Sequence, residues 1–220
     1  MDKVTVHTRS GALELEGREV LRYSIDYPQM AGIGASQSLS HYHLTQAVAF
    51  ERQIKGRYFR QATHQLAALE PYGGFAALEI TASVQVMHHT PGLLSFFTDT
   101  WYQLGQQGTR LARSARTVRS DTGRALTLPE LFARGYDFRT PLFKSLRAQI
   151  AREAELNPGS YFADWSSLVP KNVGNRSFYL TDDGLVIFFG EQVIAEKSAG
   201  LPSFRVPYSL FDGELHFGLH

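Results

Sequence analysis

The sequence predicts an α+β fold, with antiparallel sheet or sheets covered by one long helix and two shorter ones. Two observations carry this. Apolar residues recur at helical spacing from Leu39 to Leu69, and elsewhere they alternate in short runs separated by glycine and proline turns. Read in order, the chain runs β, long α, β-meander, two α, β-hairpin, β.

Residues 13–27 alternate loosely through Leu13, Leu15, Val20, Leu21, Tyr23, Ile25 and Tyr27, which predicts an opening strand or hairpin that leads into a loop at Pro28. A glycine-rich loop follows. Ala47, Phe50, Ile54, Tyr58, Ala62 and Leu66 then mark one amphipathic helix, with serines near Ser36–Ser40 as caps and Gly73-Gly74 as the stop. Ile80, Ala82, Val84 and Val86 share one face of a strand, Pro91-Gly92 turns, and 93–104 and 110–119 complete an antiparallel meander.

Thr127-Leu128-Pro129-Glu130 has the pattern of a capping box and predicts a short helix through Leu131 and Phe132. Thr140-Pro141 opens a second, whose stripe is Leu142, Leu146 and Ile150 and whose stop is Asn157-Pro158-Gly159. Strands at 177–180 and 185–189 form a hairpin about Asp182-Asp183-Gly184, a sequence suited to positive φ. Phe204–Phe211 reads as a last strand, and Pro207 assigns it to an edge.

The 220 residues are 43% hydrophobic and 20% charged, which suits a folded chain organised as one module over 1–220. A sub-boundary is expected near 105–125, dividing 1–110 from 111–220. With 22 basic and 21 acidic residues the net charge is +1, so no global field draws a nucleic acid or an anionic membrane. The absence of cysteine excludes disulfides, thiolate metal sites and cysteine nucleophiles. The longest apolar run, Leu185–Phe189, is too short to span a bilayer, and the start, Met1 to His7, has no signal-like apolar stretch, which by itself suggests the cytoplasm.

Several motifs invite chemistry and are better explained structurally. His41 and His43 lie two apart on a helix and His88-His89 are adjacent on a strand, so neither pair converges on one ion, and no metal or cofactor is expected. Gly32-Ile33-Gly34-Ala35-Ser36-Gln37 lacks the third glycine of a dinucleotide fingerprint, and Ser36 and Ser38 lack a nucleophile elbow. Arg110, Arg113, Arg116 and Arg119 would align on a helix; on a strand Arg113 and Arg119 face one way and Arg110 and Arg116 the other. Asp182 and Asp183 belong to a turn. Trp101, Tyr102 and Phe97 offer an aromatic platform for a protein or glycan.

Four segments together carry a family resemblance. Tyr27-Pro28-Gln29 before the long helix, Asp121-Thr122-Gly123-Arg124-Ala125-Leu126-Thr127-Leu128-Pro129-Glu130-Leu131-Phe132, the run from Phe178 to Phe189, and Ala199-Gly200 with Val206-Pro207-Tyr208 look like RsiV/PdaC-type proteins. The resemblance implies an extracytoplasmic α+β domain of Gram-positive bacteria, used in an anti-sigma factor to recognise lysozyme and placed ahead of the catalytic domain in a peptidoglycan deacetylase. Related proteins carry a proline- and tyrosine-rich loop where this chain has 190–199, with Glu191, Gln192 and Lys197. The expectation is therefore a non-enzymatic binding or sensing module for a lysozyme-like protein or a cell-wall glycan. Its candidate ligand residues are Trp101, Tyr102, Glu191, Gln192 and Lys197. The alternative is a metal-dependent hydrolase or deacetylase acting on cell-wall sugars.

Overall fold

The chain opens as a hairpin of two long strands, β1 (Val4–Leu15) and β2 (Arg18–Met30), closed by Glu16 and Gly17, both at positive φ. The computed structural model describes residues 4–31 and 35–219. Its backbone divides into two compact units, Met1–Val84 with Thr98–Leu111, and Gln85–Phe97 with Ala112–His220.

In the first unit a continuous helical rod follows the hairpin: α1 (Ala35–Gln53), a π-helical turn (Ile54–Tyr58), α2 (Phe59–Leu69) and a 3₁₀ turn (Glu70–Tyr72). The helix expected from the apolar spacing is present, and Gly73 stops it in the left-handed conformation. The buried positions from Ser36 to Leu66 use about one residue more over eight turns than a 3.6-residue repeat provides. The π turn absorbs that extra residue and keeps Ile54, Tyr58, Ala62 and Leu66 on the buried side.

The rod returns the chain to β3 (Leu78–His89), which pairs with β2 in parallel, Leu21 opposite Leu78 and Ile25 opposite Ala82. This pair departs from the antiparallel pattern expected throughout. A helix between two neighbouring strands acts as a crossover, and a crossover delivers the second strand in the direction of the first. β4 (Leu93–Gln103) and β5 (Thr109–Arg119) complete a five-stranded sheet in the order β1-β2-β3-β4-β5; their short connections require antiparallel pairing.

The second unit holds a three-stranded antiparallel sheet, β6 (Phe178–Thr181), β7 (Gly184–Phe188) and β8 (Ser203–Pro207), in sequence order. β7 is central and buried on both faces. Leu185 and Ile187 join the larger core with Leu142, Leu146 and Ile150 of α3 (Arg139–Leu156), whereas Val186 and Phe188 pack with Phe97, Ala115 and Tyr179. That double burial explains the unbroken apolar run. Each such side chain contributes roughly 1.5–3 kcal/mol of transfer free energy.

Local signals resolve with some reassignments. Asp137 rather than Thr140 holds the start of α3: its Oδ1 accepts from the Arg139 and Thr140 N–H groups at 3.2 and 3.4 Å, and its Oδ2 from the Thr140 hydroxyl at 2.6 Å. The expected short helix at 127–132 is a 3₁₀ turn, Leu128–Leu131. A further helix, α4 (Trp165–Asn172), carries Pro170 within it and has no counterpart in the apolar spacing. β8 stops at Pro207 on the sheet edge, and a 3₁₀ turn, Tyr208–Phe211, replaces the rest of the expected strand. Gly184 does not have positive φ; glycine is required there because a Cβ would stand 2.7 Å from the Val206 carbonyl oxygen of β8.

Candidate functional site

In the first unit, Trp101 and Tyr102 are neighbours on β4 and face opposite ways, as strand geometry requires. Trp101 is 50% exposed; Tyr102 is 9% exposed and packs at 5.6 Å, ring to ring, on Tyr58 of the π turn, with Phe50 edge-on at 6.5 Å. Two guanidinium groups lie on this aromatic stack. Arg110 of β5 sits 5.0 Å from the Tyr102 ring centre and Arg57 sits 5.5 Å from that of Tyr58. Burial, then the neighbouring Tyr58, raises the Tyr102 phenol above its ordinary pKa, against the lowering influence of Arg110 and Arg57. Tyr102 therefore supports charge from below, and Trp101 presents a ring to solvent.

In the second unit, the loop over 190–200 is held by backbone bonds. Phe162 N–H donates to the Ile194 carbonyl at 3.1 Å and Glu196 N–H to the Ser160 carbonyl at 2.8 Å, about an isolated bridge of Tyr161 and Ala195. Ile194 and Ala195 are buried by this arrangement, Glu191 is half-buried, and Gln192 and Lys197 are exposed. Gln192 adopts φ +57 without being glycine, a conformation that costs of order 1 kcal/mol and is retained by its surroundings.

The other candidates resolve into structural contacts. His88 Nδ1 meets Asp182 Oδ1 at 3.0 Å, and Asp183 pairs with Arg205 and accepts from the Thr181 hydroxyl at 2.9 Å, so both aspartates serve the hairpin tip. His43 is buried at the edge of Tyr42 and His41 is exposed. Among the described residues no cluster of three or more His, Asp or Glu side chains could hold a metal ion. The Gly32–Gly34 part of the glycine loop lies outside the described residues; Ser36 is buried and Ser38 exposed. Ser40 ties β2 to α1, accepting from Met30 N–H at 2.9 Å. Arg113 lies 4.0 Å from the Phe97 ring centre and donates to Ser203 Oγ at 3.1 Å, while Arg119 pairs with Asp121 at 2.5 Å. Neither is part of a continuous basic stripe.

Among the described residues, the carboxyl groups whose proton affinity is displaced are displaced downward. Lys55 and then Tyr23 hold Glu51 down to about 2, Arg119 holds Asp121 down to about 2, and Thr127 holds Glu130 down to about 2. Thr140 lowers Asp137. These acids are held as anions near neutral pH by structural partners, unlike a general acid, whose pKa is raised toward neutrality. Arg57 and Arg60 belong to none of the motifs that the sequence displays. Their signal was present: neither has an acidic residue three or four positions away, and Tyr58 lies between them.

The molecule is thus an α+β protein of two sheets with one long and two shorter helices, and no described helix is long and apolar enough to cross a membrane. Residues 129–209 match a family described as "Protein of unknown function (DUF3298)". No curated protein matches the chain. The crystal structure of a DUF3298-family member from Bacteroides fragilis is similar with TM-score 0.66 at 12% identity, over 98% of this chain and 94% of its own. That of a DUF3298-family protein from Pseudomonas aeruginosa is similar with TM-score 0.67 at 14% identity, over 100% and 95%. At these identities the likeness is one of fold.

Proposed function

We propose that residues 1–220 act as a single non-catalytic recognition module of the RsiV/PdaC type, working outside the cytoplasm, whose ligand is a lysozyme-like protein or a cell-wall glycan. The observation that carries this reading is the commitment of the displaced carboxylates to structural partners while Trp101 is left half-exposed. The match over 129–209 supports it, since the Phe178-to-Phe189, Ala199-Gly200 and Val206-Pro207-Tyr208 resemblances fall within that segment and the Asp121-to-Phe132 one runs into its start. Trp101 supplies the aromatic anchor in one unit, with Tyr102 beneath the sheet surface as a positioning residue. Glu191, Gln192 and Lys197 supply polar contacts from a loop pre-ordered by its backbone bonds, which reduces the entropy lost on binding.

A lysozyme pull-down run beside a glycan array tests the proposal. Retention on one of them, weakened about tenfold by Trp101→Ala or by joint replacement of Gln192 and Lys197 with alanine, is the expected result. Hydrolysis of acylated sugars by the purified chain overturns it, as does retention that neither variant alters.

A further inference from the structure

In the first unit Arg9, Arg18 and Arg22 each have a carboxylate, with Glu51, Glu70 and Glu19 at 2.5, 3.8 and 2.9 Å. Arg57, Arg60 and Arg110 have none among the described residues. Their side-chain N–H groups make no hydrogen bond there either, although all three side chains are exposed. They are nonetheless gathered. Arg57 and Arg110 lie on the adjoining rings of Tyr58 and Tyr102, and Arg60 lies one turn beyond Arg57, with Nη1 4.0 Å from where a Cβ on Gly56 would be. Like charges three apart on a helix destabilise it, and here no acid on the same helix face offsets them.

A guanidinium held on an aromatic ring keeps its fork of donors for an oxyanion, and loses less entropy on binding one because the ring has already restricted it. We propose that Arg57, Arg60 and Arg110 form a binding site for successive phosphodiester groups of a polyol-phosphate chain, a ligand distinct from that of Trp101 and the 190–200 loop. Three separate donor forks suit a polymer carrying repeated charges better than a single small anion. Tyr58 and Tyr102 are 6% and 9% exposed, so they leave no ring face on which bases could stack, and stacking is what single-stranded nucleic acid uses for much of its affinity. The site therefore lacks the stacking platform of a single-strand binder and offers contacts to the phosphates alone.

The test titrates the full chain with poly(glycerol phosphate), with inorganic phosphate and with single-stranded DNA of equal phosphate number. Expected is saturable binding of the polymer, tighter than that of phosphate or DNA. Its log-affinity should fall against log salt with a slope of about −2, reduced in magnitude by about 0.7 for each arginine replaced by glutamine. Each of R57Q, R60Q and R110Q should weaken binding about tenfold, while Arg147→Gln, on an exposed position of α3, leaves it unchanged. A melting curve shows whether the triple variant R57Q/R60Q/R110Q is folded. If that folded variant binds the polymer as wild type does, the proposal fails. It also fails if DNA binds tenfold more tightly than the polymer, which would indicate a nucleic-acid surface, or if phosphate alone matches the polymer. The lysozyme and glycan assays do not use these arginines, so either reading can fall without the other.

Discussion

The Tyr23 hydroxyl donates to Glu51 Oε1 at 2.7 Å, joining β2 to the helical rod through a carboxylate that is itself buried. Arg9 of β1 reaches the other oxygen, with Nε at 2.6 Å, and Lys55 approaches Oε1 at 2.7 Å from the next helical turn. One carboxylate thus connects two strands and a helix.

Glu51→Gln is expected to destabilise the protein by about 2 kcal/mol. This is toward the low side for breaking a buried ion pair, because Arg9 and Lys55 can turn to water while Tyr23 cannot. The carboxyl is held down to about 2 in the folded protein, chiefly by Lys55 and Tyr23, against an unfolded value of 4.5. Its stabilisation is therefore complete above about pH 4.5 and is lost as pH falls toward 2. Urea denaturation at pH 7, 4 and 3 checks both points: the gap between wild type and E51Q should be widest at pH 7 and narrow with acid.

Gly11 lies opposite Tyr23 across the β1–β2 ladder, and a Cβ there would stand 2.7 Å from the Tyr23 oxygen and 2.9 Å from Cζ. The ring cannot retreat without releasing Glu51. Gly11→Ala should cost about 1–3 kcal/mol, the range for overpacking, and less than that in a Tyr23→Leu background. Additive losses in the double-mutant cycle would show that the two positions do not compete for space.

How much of this was visible in the sequence depends on how local its cause is. The helical stripe from Leu39 to Leu69 and the stripe of Leu142, Leu146 and Ile150 are set by neighbouring residues, and both are present. The π turn at Ile54–Tyr58 was not legible, because a drift of one residue in eight turns is smaller than the scatter of an apolar pattern. The parallel β2–β3 pair was hidden because strand alternation carries no direction. At the candidate sites, the exposure of Trp101 and the burial of Tyr102 follow from which face of β4 the helical rod covers. The gathering of Arg57 with Arg110 depends on Tyr58 meeting Tyr102 across distant sequence.

Gly184→Ala provides a sharper steric test than most glycine substitutions, because the atom in the way is the backbone oxygen of Val206 and not the end of a flexible side chain. Separation of β7 from β8 would be needed to relieve the clash, so a loss of about 2 kcal/mol or more is expected. Gly74→Ala is the matched control. It has open space around its Cβ position and no positive φ, so it should be neutral or stabilising by up to about 1 kcal/mol. Thermal melts of the two variants side by side would reject the steric account if they shifted alike.

Glu130 tests whether a charge on the surface can organise the core below it. Its Oε2 accepts from both the N–H and the hydroxyl of Thr127, at 2.8 and 2.7 Å, and its Oε1 meets Arg124. The turn it closes places Leu128, Leu131 and Phe132 in the larger core, where Phe132 stacks on Phe138 at 4.4 Å. Glu130→Ala should cost about 1–2 kcal/mol, as loss of a helix cap does. Since more than a third of the side chain is in water, little of that should come from the Arg124 ion pair, and Arg124→Gln should cost under about 0.5 kcal/mol. The carboxyl sits near 2 when folded, mainly through the Thr127 hydroxyl and N–H, so its stabilisation holds above about pH 4.5 and fades as pH falls toward 2. High salt should leave the Glu130→Ala deficit nearly unchanged if the hydrogen bonds carry it; a deficit that disappears in 1 M salt would return the credit to Arg124.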